Sequence, residues 1–291
     1  MKWFNSSSKM KSDRYNSMEE IMKYLCPICK QTLLLEEKTW CCPGKHRFDC
    51  AKEGYVNLLP VQNKGSKDPG DNKEMMFARR EFLNKGYYQG LSDRVNELAC
   101  LHGQGVTRAL DIGCGEGYYT HRLYKSLFEQ HTLNLQGLDI SKSALKYASK
   151  RYKEIDFCVA SAFEMPFADH SFDLMLRIYA PSLDEELRRV IKDGGILITA
   201  SAGEHHHFAL KKLIYADPKP HIVESSYIQG FELLHRENLS STMQLEDAGD
   251  ITHFLNMTPY SWKLTDEQKS ELVLNGLSCE LDFKIEVFKA I

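Results

Sequence analysis

The 291 residues contain no run of the roughly 18 apolar residues needed to span a membrane. Residues 1–20 are polar, with Ser6–Ser8 and several charges but no apolar segment. A secretory leader is therefore not expected, and residues 1–23 are expected to form a disordered extension. Nine cysteines, an odd number in a chain without a leader, argue against a disulfide framework and for a reducing, cytoplasmic compartment. Charge of neither sign dominates, the net being −3. What is present suits a globular chain with one large and one small domain: 43% of residues are hydrophobic and 26% charged. The charge is unevenly spread, with 15 Lys/Arg against 10 Asp/Glu in residues 1–80 and 22 against 30 in the remainder. A basic front end on an acidic body is consistent with an RNA-binding appendage.

The most informative stretch starts at Arg108. An apolar strand through Ala109 and Leu110 ends on Asp111, and Gly113, Gly115 and Gly117 then alternate before a helix. Glycines at a strand-to-helix turn let the backbone approach a ligand. The spacing is G-x-G-x-G, not the G-x-G-x-x-G that seats a pyrophosphate on a helix N-terminus. A helix over 120–130 and a strand over 133–138 lead to Asp139, 22 residues beyond Gly117, where an acid suits the two hydroxyls of a ribose. A helix over 142–151, a strand over 156–160, Ser161-Ala162-Phe163, a strand over 174–179 and a helix over 185–191 continue the alternation. Lys192-Asp193-Gly194-Gly195 then turns the chain into a strand over 196–200. The predicted fold is α/β. Turn and order resemble the Rossmann-like class I S-adenosylmethionine methyltransferases, which makes Asp111, Gly113, Gly115 and Asp139 cofactor-binding candidates.

Ahead of this domain, Cys26-Pro27-Ile28-Cys29 forms one knuckle and Cys42-Pro43-Gly44-Lys45-His46 a second. Structural Zn²⁺ takes four soft or borderline ligands in a closed tetrahedron, and three Cys with one His is a usual set. The twelve residues between Cys29 and Cys42 suffice for a hairpin, with strands at 33–35 and 39–40. Cys41 competes for the third position. Cys42 is preferred because Pro43 repeats the Cys26-Pro27 pattern, and Cys50 is expected to be a buried apolar residue. A redox role for the C-x-x-C pair lacks the surrounding βαβ context. A nucleophilic Cys for C5-pyrimidine methylation is also missing, since the chain reads Ile178-Tyr179-Ala180-Pro181-Ser182 after the fourth strand.

From about Tyr24 onward the chain resembles the bacterial 23S ribosomal RNA guanine-N1 methyltransferases. The resemblance is carried by Cys26/Cys29/Cys42/His46, His46–Asp49, Ala51–Pro60, Asp68-Pro69-Gly70-Asp71, Ala78-Arg79-Arg80, the glycine turn with Tyr118–His121, Arg177–Pro181 and Met257–Tyr260. The Tyr55–Pro60, Asp68–Asp71 and Arg177–Pro181 stretches look like the Gram-negative-type branch. The resemblance implies Cys26, Cys29, Cys42 and His46 as zinc ligands. It implies Tyr88, Tyr119, Thr120 and His206 as further contacts to S-adenosylmethionine. His206 is chosen from His205-His206-His207 by counting Gly-x-x-His from Gly203; by itself such a triplet reads as a solvated turn. The implied domains are a zinc-binding domain over 24–60, a helical linker over 61–95 that contributes to the cofactor site, and a methyltransferase domain over 96–291. The implied partner is 23S ribosomal RNA, with no membrane and with a homodimer as an open alternative.

Methyl transfer to guanine N1 needs donor and acceptor aligned roughly 3 Å apart. N1 carries a proton, so a general base or a hydrogen bond to O6 is also required. Asp68 and Asp71, with Glu74, are candidate bases, and Arg79 or Arg80 a candidate for phosphate or O6, although Asp68–Asp71 also reads as a turn and cap. Tyr179 is placed to stack on an extruded base or to lie in the core. Tyr260 and Trp262 read as core or interface before RNA. The competing functions are a non-catalytic zinc-containing RNA-binding protein and a methyltransferase for another acceptor, such as a quinone or another small molecule.

Overall fold

Two sheets organise the residues described by the computed structural model, namely 23–60, 72–128, 133–223 and 227–291. The expected disordered extension up to residue 22, and Asp68 and Asp71, lie outside them. The first sheet is an antiparallel meander of β1 (Leu34–Glu36), β2 (Thr39–Cys41) and β3 (Arg47–Asp49), with Leu35 opposite Trp40 and Trp40 opposite Phe48. The expected hairpin thus gains a third strand, because the chain leaving the second knuckle runs back along β2. Both knuckles turn on left-handed lysines, Lys30 (φ 59°) and Lys45 (φ 66°).

The second sheet is built from β4 (Val56–Asn57), β5 (Arg108–Ile112), β6 (Asn134–Asp139), β7 (Asp156–Val159), β8 (Phe172–Ile178), β9 (Ile191–Ala202), β10 (Phe231–Leu245) and β11 (Leu277–Ala290). Around it lie α1 (Lys73–Asn84), α2 (Gln89–His102), α3 (Tyr118–Phe128), α4 (Lys142–Arg151), α5 (Asp184–Val190), α6 (Phe208–Ile214), α7 (Ala248–Asn256) and α8 (Asp266–Asn275). Strand order is β10-β11-β9-β8-β5-β6-β7-β4. The block from β4 to β9 is parallel, and β11 and β10 close the other edge antiparallel. The Lys192–Gly195 turn expected ahead of the fifth strand lies inside β9. Gly194 (φ 75°) bends the strand there, and the pairing jumps from Phe172–Ile191 to Leu174–Ile196 to absorb the extra residues.

Alternation along the strands sorts the core into two layers. Ala109, Leu135, Leu174, Leu176 and Ile198 face Phe82, Leu91, Leu123, Leu145, Leu210 and Phe254 from the helices. Leu110, Ile112, Leu138, Met175 and Leu197 face α5 together with Tyr24, Leu33 and Trp40 of the N-terminal module. Tyr24 sits edge-on to Trp40 (5.0 Å between ring centroids) and tilted against Phe167 (5.8 Å). β4 adds to the edge of the larger sheet beside β7. The module therefore covers one face of the sheet and extends its edge. A boundary at 95/96 falls inside α2.

The strand order reverses at β5. β6 and β7 build outward on one side, after which the chain crosses to β8 on the other. In such sheets ligands bind beyond the carboxyl ends of the strands at this switch. Gly113 (φ 71°) turns the chain directly after β5, and a Cβ there would lie 2.5 Å from the Cβ of Ala180, just past β8. Gly113→Ala is expected to cost about 3 kcal/mol through the left-handed backbone and the overlap together. A denaturant-unfolding midpoint equal to that of the parent chain would show that the strand ends are free to part.

Candidate functional site

The two knuckles bring Cys26, Cys29, Cys42 and His46 together, with all four ligand atoms within 4.8 Å of one another. Cys26 Sγ lies 3.5 Å from His46 Nδ1, Cys29 Sγ 3.5 Å from Cys42 Sγ, and Cys42 Sγ 3.4 Å from His46 Nδ1. Tetrahedral zinc with sulfur bonds of about 2.3 Å has ligand–ligand edges of about 3.8 Å, so the cluster fits the ion. Gly44 completes the fit, because a Cβ there would sit 3.2 Å from Cys29 Sγ and 3.4 Å from His46 Nδ1. Burial pushes the Cys42 thiol up, but hydrogen bonding from the His46 backbone, Cys29, the His46 ring and Cys26 outweighs it and brings it down to about 7. Cys41 points away and bonds the Thr39 carbonyl (3.7 Å).

In the glycine turn, Gly115 and Gly117 also have positive φ (55° and 82°). A Cβ at Gly117 would press on the Tyr152 ring, whereas at Gly115 it would meet nothing within 4 Å. The turn is closed on one side and open on the other. Asp139, at the end of β6, accepts the Gly115 amide on Oδ2 (2.8 Å) and the Ser141 amide on Oδ1 (2.7 Å), which joins the turn to the start of α4. Asp111 is buried and accepts the Thr120 hydroxyl at 2.6 Å. Burial drives its carboxyl up to about 7; Thr120 opposes the shift and Asp139 adds to it.

Across the switch, Tyr179 follows β8 in the left-handed region (φ 54°), 48% exposed, with its amide on the Ala200 carbonyl (3.0 Å). Its hydroxyl lies 3.3 Å from His206 Nε2. His206 and His207 are both buried, so the triplet is not the solvated turn that the sequence by itself suggests. β11 pins it in place. Asp282 Oδ2 accepts the His205 amide (2.9 Å), the Asp282 amide donates to His206 Nδ1 (3.2 Å), and the His207 amide donates to the Glu280 carbonyl (2.9 Å). Burial, then His221, pulls His206 down to about 4. A neutral ring that accepts at Nδ1 carries its proton on Nε2, so His206 donates to the Tyr179 oxygen and leaves the Tyr179 hydroxyl proton to point elsewhere. Tyr88, at the N-cap of α2, bonds His207 Nε2 (2.7 Å), and the two imidazoles stack at 3.8 Å.

Tyr88, Tyr179 and His206 thus form one aromatic cluster with Phe283; Tyr119 is close enough to raise the Tyr88 phenol, and Tyr179 to raise that of Tyr119. Tyr260 is buried against His207, and Trp262 is exposed. His207 and Asp282 were not legible as site residues. The one signal was Gly203, whose missing Cβ leaves room for the Asp282 carboxylate 2.5 Å away. Glu116 was also missed. Its side chain is 10% exposed, neither oxygen has a hydrogen-bond partner among the described residues, and Arg80 Nη1 is 3.9 Å away. Burial raises it to about 7 against the opposing pull of Arg80, Arg79 and Arg151.

Residues 24–67 match the zinc-ribbon model described as RlmA, N-terminal, and residues 105–249 match the model described as Methyltransferase domain. The chain thus joins a segment similar to the RlmA zinc ribbon to a methyltransferase domain. A protein of Streptomyces fradiae named 23S rRNA (guanine(748)-N(1))-methyltransferase is 29% identical over 252 residues, which cover 84% of this chain and 88% of that one. YxjB of Bacillus subtilis is 28% identical over 258 residues, covering 86% and 90%. A demethylmenaquinone methyltransferase of Bacillus licheniformis is 33% identical over 122 residues, covering only 38% and 51%. No helix among the described residues is long and apolar enough to cross a membrane.

Two outcomes are expected for this methyltransferase. Metal analysis should find one zinc per chain, lost in Cys42→Ser and kept in Cys41→Ser; the reverse pattern would exchange the two ligands. The second concerns pH. Glu116 holds its proton to about 7 when folded but ionises near 4.5 when unfolded, so its contribution to stability is complete below the lower value and is lost as pH rises through the upper one. Glu116→Gln should therefore flatten the fall of Tm between pH 5 and 8, and a slope equal to the wild type would remove Glu116 as its source.

Proposed function

We propose that the chain transfers a methyl group from S-adenosylmethionine to N1 of one guanine in a hairpin of 23S ribosomal RNA. The observation that carries this reading is the union of a zinc ribbon and a methyl-transfer domain in one chain, together with relatives aligned across both. The demethylmenaquinone relative matches only part of the chain, which favours RNA over a small-molecule acceptor. A ribosomal acceptor also puts the working protein in the cytoplasm.

S-adenosylmethionine, when bound, supplies an electrophilic methyl carbon on a sulfonium. The open side of Gly115 leaves room for it along the turn, and Asp111, Gly113, Tyr88, Tyr119, Thr120 and His206 are the proposed lining. Asp139 is suited to accept ribose hydroxyls, with its carboxylate already oriented by two backbone amides. The acceptor needs more help. As guanine N1 loses its proton, negative charge spreads onto O6. Tyr179, half-exposed beyond β8, is the proposed donor to O6. His206 holds it from behind, so that its hydroxyl hydrogen faces the base. Asp68 and Asp71 are the proposed acceptors of the N1 proton.

Protein-free 23S RNA from a strain lacking the enzyme tests this. The enzyme should create a single primer-extension stop, because a methyl group on N1 blocks the pairing edge. Tyr179→Phe should lower kcat on the order of 10²-fold with S-adenosylhomocysteine binding unchanged. A methyl group mapped to an exocyclic or C5 position, or transfer to a quinone and not to RNA, would overturn the reading. Homodimerisation is a separate matter that light scattering decides.

A further inference from the structure

Helix α4 carries Lys142, Lys146, Lys150 and Arg151 and no acidic residue. The N-terminal module, residues 24–60, holds five Lys/Arg against four Asp/Glu. The dense positive charge is therefore on the α/β domain, whose overall balance is acidic. The placement runs against helix physics. Lys142, Lys146 and Lys150 follow one another at spacings of four, so like charges stack along one exposed face. Lys142 also occupies the first helical position, at the positive end of the helix dipole. Among the described residues only Lys146 of the three has an acidic neighbour, Glu53 at 4.0 Å. An anionic partner relieves all of this repulsion at once.

The neighbouring side chains say which anion. Tyr147 lies among these lysines and is 48% exposed, and the Arg80 guanidinium of α1 sits 5.0 Å from its ring centroid. The same guanidinium lies 5.0 Å from the ring of Phe77, itself 49% exposed. Arg151 donates to Asn84 (3.2 Å) and ties α4 to the end of α1. Glu116 of the glycine turn lies beside Arg80, so the strip runs from the lysines to the mouth of the cofactor turn. Exposed rings interleaved with arginine and lysine suit unstacked bases and their phosphates, whereas an acidic protein would leave the rings without a purpose.

We propose that this strip, Lys142, Lys146 and Lys150 with Tyr147, Arg80 and Phe77, binds the single-stranded segment of substrate RNA that flanks the extruded guanine. The lysines take phosphates, and the rings take an unstacked base. This rests on the RNA reading above. The test uses the full-length zinc-loaded enzyme and the protein-free hairpin RNA, with affinity measured across a salt series alongside methylation and S-adenosylhomocysteine binding. The combined variant Lys142→Gln, Lys146→Gln, Lys150→Gln should bind RNA at least about tenfold more weakly, with a log–log salt slope shallower by about 2. Tyr147→Ala should also weaken binding, by about tenfold, but with the slope unchanged. Both variants should bind S-adenosylhomocysteine as the wild type does. If the lysine variant binds and methylates RNA like the wild type, the strip is not an RNA site, while the functional reading stands. A wild-type enzyme that methylates no RNA overturns the functional reading and this proposal together.

Discussion

The site depends on two parallel strands ending side by side while the chain leaves them in opposite directions. β5 turns toward α3 and β8 toward Tyr179, and the backbones at Gly113 and Ala180 approach so closely that a methyl group does not fit between them. That approach fixes the separation of the two halves of the site. On one half the glycine turn exposes backbone to a ligand. On the other, Tyr179 adopts a left-handed backbone that presents its ring instead of burying it. Strain of this kind persists only where neighbours over-determine it, and here the Tyr179 amide is held by β9 and its hydroxyl by His206.

Buried or part-buried carboxylates do most of the remaining positioning, each aimed at backbone amides or a hydroxyl. Asp139 ties the glycine turn to α4, Asp111 ties β5 to α3 through Thr120, and Asp282 ties the histidine triplet to β11. A carboxylate out of water is costly unless its oxygens are satisfied. These three are satisfied by groups that must stay in place for the site to exist, so local order and site geometry are coupled. Glu116 departs from the pattern. Among the described residues neither of its buried oxygens has a hydrogen-bond partner, and burial raises its carboxyl to about 7 despite the nearby guanidinium of Arg80.

The parallel core was legible because its signals are local. Glycines alternate at a strand end, an acid closes the next strand, and apolar runs of four to seven residues are separated by helices. The cysteine–proline knuckles were legible for the same reason, since their ligands lie within a few residues of each other. The β10–β11 hairpin was not. β10 is mostly exposed and polar, so its 15 residues carry no apolar alternation, and its partner lies beyond two helices. The role of the histidine triplet was hidden for a related reason: it depends on Asp282, 76 residues beyond His206. No spacing rule reaches that far. The basic face of α4 escaped notice because charge summed over long segments dilutes four cations in ten residues.

The position of the zinc ribbon gives it a second consequence for the enzyme. Tyr24, Leu33 and Trp40 cover the face of the sheet formed by Leu110, Ile112, Leu138 and Met175, and Leu110 and Ile112 are the β5 residues just ahead of the glycine turn. The ribbon's strands are three residues each, and the knuckles that flank them are what zinc would close. The ribbon's buried rings therefore share one apolar layer with β5, and zinc, when bound, would hold the knuckles from which that layer starts. The Leu25 amide on the Pro166 carbonyl and the ion pair of Lys30 with Glu164 fasten the first knuckle to the loop after β7. A module that had evolved only to reach RNA would not need to be part of the catalytic core. This one closes it, so the geometry around Gly113 is supported from the metal side as well as from the helices.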